Sequence, residues 1–261
     1  MISRNRIAFI RSLELKKGRE KSGLFIAEGE KICSDLLKSR LTIDSLYYIS
    51  SWKDSNADLL KINSGRCEMN EVDEGELKKI SLLSTPNKVL AIASQEKHAL
   101  RWEELTGAVI LLDQVQDPGN LGTIIRTADW FGIPTIIAGT GSADLYNPKV
   151  IQAAMGSAFR IRFIKYELGL LLKENAEKYH RVTYAAKPGG ENIFHCGLQK
   201  NGFFMFGNES AGISPALLSL SEKHIAVPQG PVADGKQPAD SLNVAVAAAV
   251  VIAEYSRQMG A

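Results

Sequence analysis

The stretch GAVILLDQVQDPGNLGTIIRTADWFGIPTIIAG, residues 107–139, contains two short apolar runs separated by one amphipathic segment. The runs at 108–112 and 135–138 lack polar alternation, which is typical of strands buried on both faces. We expect a helix between them, capped by Asn120. Its apolar residues, spaced for one buried face, are Leu121, Ile124, Ile125 and Ala128. A strand, a helix and a second strand in this order predict a parallel sheet.

The same alternation continues towards the C terminus. Further strand candidates lie at 160–164, 181–186, 203–207 and 224–228. Helix candidates lie at 148–156 and 167–179, and a last helix follows Ser241, which we expect to cap it. The order predicts an α/β fold with a mostly parallel sheet covered on both faces. Ligands of such sheets bind beyond the carboxyl ends of the strands, where Gly- and Asn-rich loops fall in this sequence.

Residues 1–95 form a separate pattern that predicts a small α/β domain. Its strand candidates lie at 23–29, 42–50 and 87–95. Its helix candidates lie at 30–39, 57–63 and 74–83. The polar segment that follows lacks strand character, so we expect a linker at 96–106 and a second domain at 107–261.

The composition narrows the class of protein. A chain of 261 residues with 45% hydrophobic residues is long enough for two cores. Three widely separated cysteines and four histidines show no disulfide or metal-ligand spacing, which favours a reducing cytoplasm and no metal site. The N terminus lacks a signal-peptide core, and the apolar run at 244–253 is shorter than the roughly 20 residues of a membrane span. We expect a cytoplasmic protein with no membrane partner.

Positive charge is concentrated at residues 1–21, which hold four Arg and three Lys against two Glu. A basic first helix is suited to contact phosphate, and a solvated helix face explains the same charges equally well. Both interpretations stay open at this point.

One glycine pair offers a competing signal. Gly139 and Gly141 follow a strand candidate, as in a dinucleotide fingerprint. The third glycine position holds Asp144, and the next helix begins only near Pro148. The spacing therefore argues against a nicotinamide or flavin enzyme.

Three motifs follow one another in the second domain. They are Asn120-x-Gly122-x3-Arg126-Thr-Ala, Gly207-x-Glu209-x2-Gly212, and Pro228 with Ser241-Leu242-Asn243-Val-x-Val-Ala. In this order they resemble the motifs of the SpoU/TrmH family of RNA ribose 2′-O-methyltransferases, over about residues 107–257. The stretches GLFIAEGEKI and STPNKVLAIA resemble the RNA-binding domain of many members, which is similar to kink-turn-binding ribosomal proteins.

The resemblance implies a SPOUT domain with a trefoil knot, S-adenosylmethionine as methyl donor, and an obligate homodimer. It implies that the active-site residues are Asn120, Arg126, Glu209, Ser241 and Asn243. It implies that the cofactor is held around Gly207, Val227, Pro228 and Leu242. The helix that begins at residue 244 is apolar nearly all round, so we expect a second subunit to cover it, with Ala248 at the interface.

The chemistry of methyl transfer fits these residue types. The ribose 2′-oxygen must lie in line with the methyl group, and a cation near the developing alkoxide lowers the barrier. In this family the arginine at this position is often pictured as a base. Arg126 is better suited to stabilise the alkoxide, because a guanidinium is effectively never deprotonated. Asn120, Ser241 and Asn243 are suited to fix the ribose. Glu209 is suited to orient Arg126 or to tie the dimer.

The sequence departs from the family pattern in two places. The loop at 229–240 is several residues longer than usual, which leaves the shape of the cofactor pocket open. Gln152 and Ala154 stand where members often carry Arg and Ser, so we expect a secondary RNA contact to be missing.

These observations predict an S-adenosylmethionine-dependent RNA 2′-O-methyltransferase. Family analogy favours ribosomal RNA over transfer RNA, and no DNA partner is expected. Two alternatives stay open: a transfer RNA 2′-O-methyltransferase, and an RNA-binding module with an inactive methyltransferase domain. The intact motif residues argue against the second alternative. The sequence does not identify the methylated nucleotide.

Overall fold

The computed structural model describes residues 1–231 and 239–260. The described chain divides into two compact units. The first contains residues 1–96 and 144–160, and the second contains residues 97–143 and the described residues from 161 onward. The first unit thus includes a segment, 144–160, that the sequence pattern groups with the C-terminal part. The linker at 96–106 stays a prediction.

The chain before residue 97 forms a mixed sheet with helices. Its strands are β1 (Leu24–Glu28), β2 (Ile43–Tyr48), β3 (Glu68–Glu71) and β4 (Val89–Ser94). Its helices are α1 (Arg4–Ser12), α2 (Lys16–Ser22), α3 (Glu30–Lys38), α4 (Ser50–Ser55), α5 (Ala57–Ile62) and α6 (Glu74–Ile80). The strand order is β1-β4-β2-β3, with β4 antiparallel to both neighbours and β2 parallel to β3. The three predicted strands are confirmed. Strand β3 was not predicted, because it is short and polar and lies at the edge of the sheet.

Three of the four arginines in the basic N-terminal segment make contacts within the first unit. Arg19 is 2% exposed, and its guanidinium donates to Asp144 Oδ2 at 2.8 Å. Arg6 pairs with Asp44 at 2.7 Å, and Arg11 donates to backbone carbonyls. A buried guanidinium requires such partners, because an unpaired buried charge is very costly. The segment therefore offers fewer cations to a phosphate than its sequence indicates.

The rest of the chain supplies the second sheet. Its strands are β5 (Val109–Leu112), β6 (Thr135–Ala138), β7 (Arg162–Lys165), β8 (Thr183–Asn192), β9 (Phe203–Phe206) and β10 (Lys223–Ala226). Its helices are α7 (Pro118–Trp130), α8 (Pro148–Ala154), α9 (Leu168–Glu174), α10 (Pro215–Leu218) and α11 (Val244–Gln258), of which α8 belongs to the first unit. The strand order is β10-β8-β9-β5-β6-β7, and every neighbouring pair is parallel. The predicted α/β fold with a parallel sheet is confirmed.

Two helices begin with a different cap from the one expected. Asp117 Oδ1 accepts a hydrogen bond from the Asn120 N–H at 2.8 Å, so Asp117 caps α7 and Asn120 lies in the first turn. Asn243, not Ser241, caps α11, because its side chain accepts from two N–H groups of the first turn. The side chains of Asn120 and Ser241 are thereby left available for other contacts.

Helix α11 is buried on one face and partly exposed on the other. Ala248 is 0% exposed within the single chain, so the expectation that it lies at a subunit interface is wrong. The exposed stripe consists of Val246, which is 49% exposed, and the half-buried Ala249, Val250 and Ala253. Among the described residues, no helix combines the length and apolar character that a membrane crossing requires.

Candidate active site

A cavity of about 800 Å³ lies where β8, β9 and β10 lead into their loops. The chain segments that line it are 186–190, 206–212, 225–230 and 239–242. Helix α11 adds Val244, Ala247 and Val251. This edge of a parallel sheet is the one at which ligands bind. Of the long loop at 229–240, residues 232–238 lie outside the described residues.

The segment 186–190 forms one wall of the cavity because β8 leaves its ladder there. Pairing with β10 passes from Ala185 opposite His224 directly to Glu191 opposite Ile225. Within the bulge, a Cβ on Gly190 would lie 2.6 Å from the carbonyl carbon of Ile225, so only glycine fits. Sequence reasoning missed this segment. Its signal was the run Pro188-Gly189-Gly190 directly after a strand candidate.

The turn after β9 carries Glu209 and folds back tightly on itself. A Cβ on Gly207 would lie 2.2 Å from the carbonyl carbon of Gly212, which forbids any larger residue at 207. Gly212 adopts a φ of 70°, a conformation that favours glycine. Both glycines of the second motif are therefore required by the backbone, and they present Glu209 at the cavity.

Three predicted site residues from three separate segments are joined by hydrogen bonds. Asn120 Nδ2 donates to Glu209 Oε1 at 2.9 Å, and Asn243 Nδ2 donates to Asn120 Oδ1 at 2.9 Å. The Asn243 side chain is itself oriented, because its Oδ1 accepts the N–H groups of α11. Each side-chain amide nitrogen carries two N–H groups, so each asparagine keeps one N–H for a ligand oxygen.

The other predicted residues divide into two groups. The cavity is lined by Gly207, Val227, Pro228, Ser241 and Leu242. Arg126 lies on α7 outside the lining, with an exposed side chain. Within the described part of the chain, its guanidinium makes no hydrogen bond or ion pair. The single chain thus brings all but one of the predicted residues to the cavity or to its amide network.

The charged residues in the lining are Lys187, Glu209 and Asp240. The lining therefore contains positively and negatively charged side chains beside the apolar Leu242 and Val251. This combination suits a ligand with an apolar body and charged groups. In the described ranges, no group of three or more His, Cys, Asp or Glu residues is arranged to hold a metal ion. The site offers neutral amides, a hydroxyl and backbone groups for orienting a polar reactant.

A parallel α/β sheet with a ligand cavity at the ends of its strands and an amide–carboxylate network beside it defines an α/β enzyme domain. The chain belongs to the SpoU rRNA Methylase family, whose model matches residues 107–253. The model of the MRM3-like substrate binding domain matches residues 4–91.

Similar proteins cover most of the chain. The 23S rRNA (guanosine(2553)-2'-O)-methyltransferase RlmP of Bacillus subtilis is 31% identical over 243 residues, 93% of this chain and 92% of the relative. The human mitochondrial rRNA methyltransferase 3 is 30% identical over 155 residues, 56% of this chain and 36% of that protein. The crystal structure of an AdoMet-bound rRNA methyltransferase from Sinorhizobium meliloti is 28% identical, with a TM-score of 0.86, and the match covers 100% of this chain and 98% of that one.

Proposed function

We propose that the protein transfers a methyl group from S-adenosylmethionine to a ribose 2′-hydroxyl of ribosomal RNA. The observation that carries the proposal is the hydrogen-bonded network of Asn120, Glu209 and Asn243 beside a cavity lined by the second and third motifs. The proposal also rests on the family of the chain and on the names of its relatives.

The cavity fits S-adenosylmethionine in size and chemistry. Its volume of about 800 Å³ accommodates a ligand of this size. Leu242 and Val251 offer apolar surface to the adenine, and the bulge at 186–190 and the turn at Gly207 let the backbone approach closely. Lys187 and Asp240 lie in the same lining and suit the charged amino-acid end. When bound, the cofactor supplies an electrophilic methyl group on a sulfonium.

The chain's own residues orient the ribose and stabilise charge. The remaining N–H groups of Asn120 and Asn243 and the hydroxyl of Ser241 would hold the ribose oxygens and so orient the 2′-oxygen for methyl transfer. Glu209 fixes the Asn120 amide. Arg126 acts as a cation towards the developing alkoxide and the adjacent phosphate, because its guanidinium keeps its proton, and the 2′-hydroxyl proton is released to solvent water.

We propose that the working form is a homodimer. Trp130 at the end of α7 is 84% exposed and Val246 on α11 is 49% exposed, and these two helices pack against each other. Large apolar side chains exposed on two packed helices suit an interaction site. Arg126 lies one helical turn before Trp130, so the second subunit would lie close to the Arg126 guanidinium. The segment 239–242, which lines the cavity beside the turn at 207–212, is consistent with a knotted C-terminal chain.

The first unit is proposed to bind the RNA. Several exposed cations of its basic N-terminal segment stay available to phosphate: Arg4, Lys17 and Lys21. Gln152, at a position where members of the family often carry Arg, does not supply a secondary RNA contact, because its Nε2 donates to the carbonyl of Glu28 at 2.8 Å.

The three cysteines of the described chain are free, which agrees with a cytoplasmic location.

Replacing Arg4, Lys17 and Lys21 together by Ala is expected to weaken ribosomal RNA binding and to make it less sensitive to salt. Each lost phosphate contact lowers the slope of log K against log salt by about 0.7–0.9, so the slope should fall by up to about two to three. Filter binding at several salt concentrations measures both quantities. A matched control replaces Lys38, Arg40 and Lys61, which are exposed in the same unit. Equal slopes for the wild type and the first variant would remove the N-terminal segment from the RNA interface.

Mapping of 2′-O-methyl groups in ribosomal and transfer RNA from a deletion strain tests the proposed function. The loss of one ribosomal site, restored by the gene on a plasmid, is the expected result. The loss of a transfer RNA site instead would favour the alternative substrate. Unchanged methylation in both RNA classes, together with no binding of S-adenosylmethionine, would favour a binding module with an inactive domain.

A further inference from the structure

The turn that carries Glu209 is held to the chain that follows β5 by two side-chain contacts. Asp113 is 6% exposed, and its Oδ2 accepts the N–H of Ser214 at 2.7 Å, at the far end of the turn. Asn208, at the near end, donates through Nδ2 to the carbonyl oxygen of Gln114 at 3.0 Å. The turn is therefore anchored at both ends to consecutive residues, Asp113 and Gln114.

Asn208 also organises the interior of the turn. Its Oδ1 accepts the N–H groups of Ser210 and Ala211 at 2.9 and 3.0 Å. Its backbone exchanges two hydrogen bonds with Gly212. The single side chain thus uses both ends of its amide: the oxygen shapes the turn around Glu209, and the nitrogen ties that turn to Gln114.

The acceptor for this contact is itself in an unusual conformation. Gln114 has a φ of 55°, in the left-handed region that residues other than glycine rarely adopt. Such residues persist where surrounding contacts hold them, and they cluster at functional sites. Three residues later, Asp117 caps α7 through the N–H of Asn120, so the position of Gln114 and that of Asn120 are linked along a short loop.

From this geometry we infer, on the basis of the proposed function, that Asn208 is a positioning residue for the reaction. By tying the turn to the Gln114 carbonyl, it sets the contact of 2.9 Å between Glu209 Oε1 and Asn120 Nδ2. Without the tie, the Asp113–Ser214 contact still anchors the far end of the turn. Among the described side chains, the Glu209–Asn120 contact is then the one that links the near end of the turn to the first turn of α7. Asn208 acts through Glu209, and Glu209 acts through the asparagine that orients the ribose.

The Asn208→Asp substitution removes the hydrogen bond to Gln114 and keeps those that shape the turn. The carboxylate keeps the acceptor oxygen for Ser210 and Ala211, but it places an oxygen against the Gln114 carbonyl where the donor was. We expect kcat to fall between about tenfold and a hundredfold, as for other small displacements of a reacting group. We expect the Kd for S-adenosylmethionine to change less than about threefold. The matched control is Asn201→Asp, which introduces the same charge at an exposed position of the second unit.

A double-mutant cycle with Glu209→Ala, which removes the acceptor of the Asn120 hydrogen bond, distinguishes positioning from a general weakening of the turn. If Asn208 acts through Glu209, Asn208→Asp should have little further effect on kcat in the Glu209→Ala background. Fully additive losses would overturn the inference. Asn208→Ser, whose hydroxyl still accepts from the turn but does not reach Gln114, serves as a second variant if the aspartate variant does not fold.

A readout without catalysis keeps the inference separate from the proposed function. The side-chain NH₂ resonances of Asn120, assigned by their absence in Asn120→Ala, report the contact with Glu209. They should shift in Asn208→Asp and stay in place in Asn201→Asp, whether or not the protein methylates RNA. Unchanged Asn120 resonances in Asn208→Asp would overturn the inference even if the wild type is an active methyltransferase.

Discussion

Arg126→Ala is expected to lower kcat for RNA methylation by about 10²–10³-fold and to leave the Kd for S-adenosylmethionine within about threefold. The large loss is expected because a cation that faces developing negative charge stabilises the transition state far more than the ground state. The cofactor affinity is expected to persist because Arg126 lies outside the lining of the cavity.

Single-turnover methylation and calorimetry measure the two effects of Arg126→Ala separately. Arg101→Ala is a suitable control, since Arg101 is exposed in the same unit and pairs with the nearby Glu104. Retained turnover in Arg126→Ala would remove this residue from the mechanism.

Arg126→Lys decides between a stabilising cation and a base. A lysine keeps the charge but loses the planar fork, so a stabilising role predicts partial activity that does not rise as the ammonium loses its proton. A base predicts activity that increases with pH through the lysine pKa, because only the neutral amine accepts a proton. The pH dependence of kcat in this variant therefore distinguishes the two roles.

Val246→Asp is expected to convert a dimeric protein into a monomer. The substitution lies on an exposed part of α11, so it should change the stability of the single chain little. In a dimer it would bury an unpaired charge from each subunit, at a cost of about 3–5 kcal/mol per charge, and one such cost alone raises the dimer dissociation constant about 10²- to 5 × 10³-fold.

Sedimentation velocity at micromolar concentration measures the oligomeric state. Ile62→Asp is the matched control, because Ile62 is also a β-branched apolar residue, is 74% exposed and lies in the first unit. It should stay dimeric. A wild type that sediments as a monomer would refute the dimer, and a Val246→Asp variant that stays dimeric would place the interface elsewhere.

Local pattern was sufficient to predict the parallel sheet. Strands buried on both faces read as nearly uninterrupted apolar runs, and the three strands that are buried throughout, β5, β6 and β9, fall on such runs. Strand β3 did not, because its four residues, EMNE, pair only with β2 at the sheet edge and need no apolar face. The cap of α7 was misjudged for a local reason: in Asp117-Pro118 the proline favours the first helical position, which makes Asp117 the cap.

What the sequence did not reveal depends on contacts between distant residues. The bulge at 186–190 exists because β8 and β10 pair on both sides of it, and neither strand shows this alone. The tie between Asn208 and Gln114 joins residues 94 positions apart. Ala248 was assigned to an interface because α11 is apolar on nearly all sides, whereas the single chain already covers that position. Hydrophobicity predicts that a residue is buried, and not what buries it.

Methyl transfer to a ribose 2′-oxygen can be followed with S-adenosylmethionine that carries a deuterated methyl group. Unmodified ribosomal RNA made by transcription, and transfer RNA in parallel, are incubated with the protein, digested to nucleosides and analysed by mass spectrometry. We expect a labelled 2′-O-methyl nucleoside from ribosomal RNA with the wild type, and none with Asn120→Ala. Label on a base, or no label from a protein that binds the cofactor and the RNA, would contradict it.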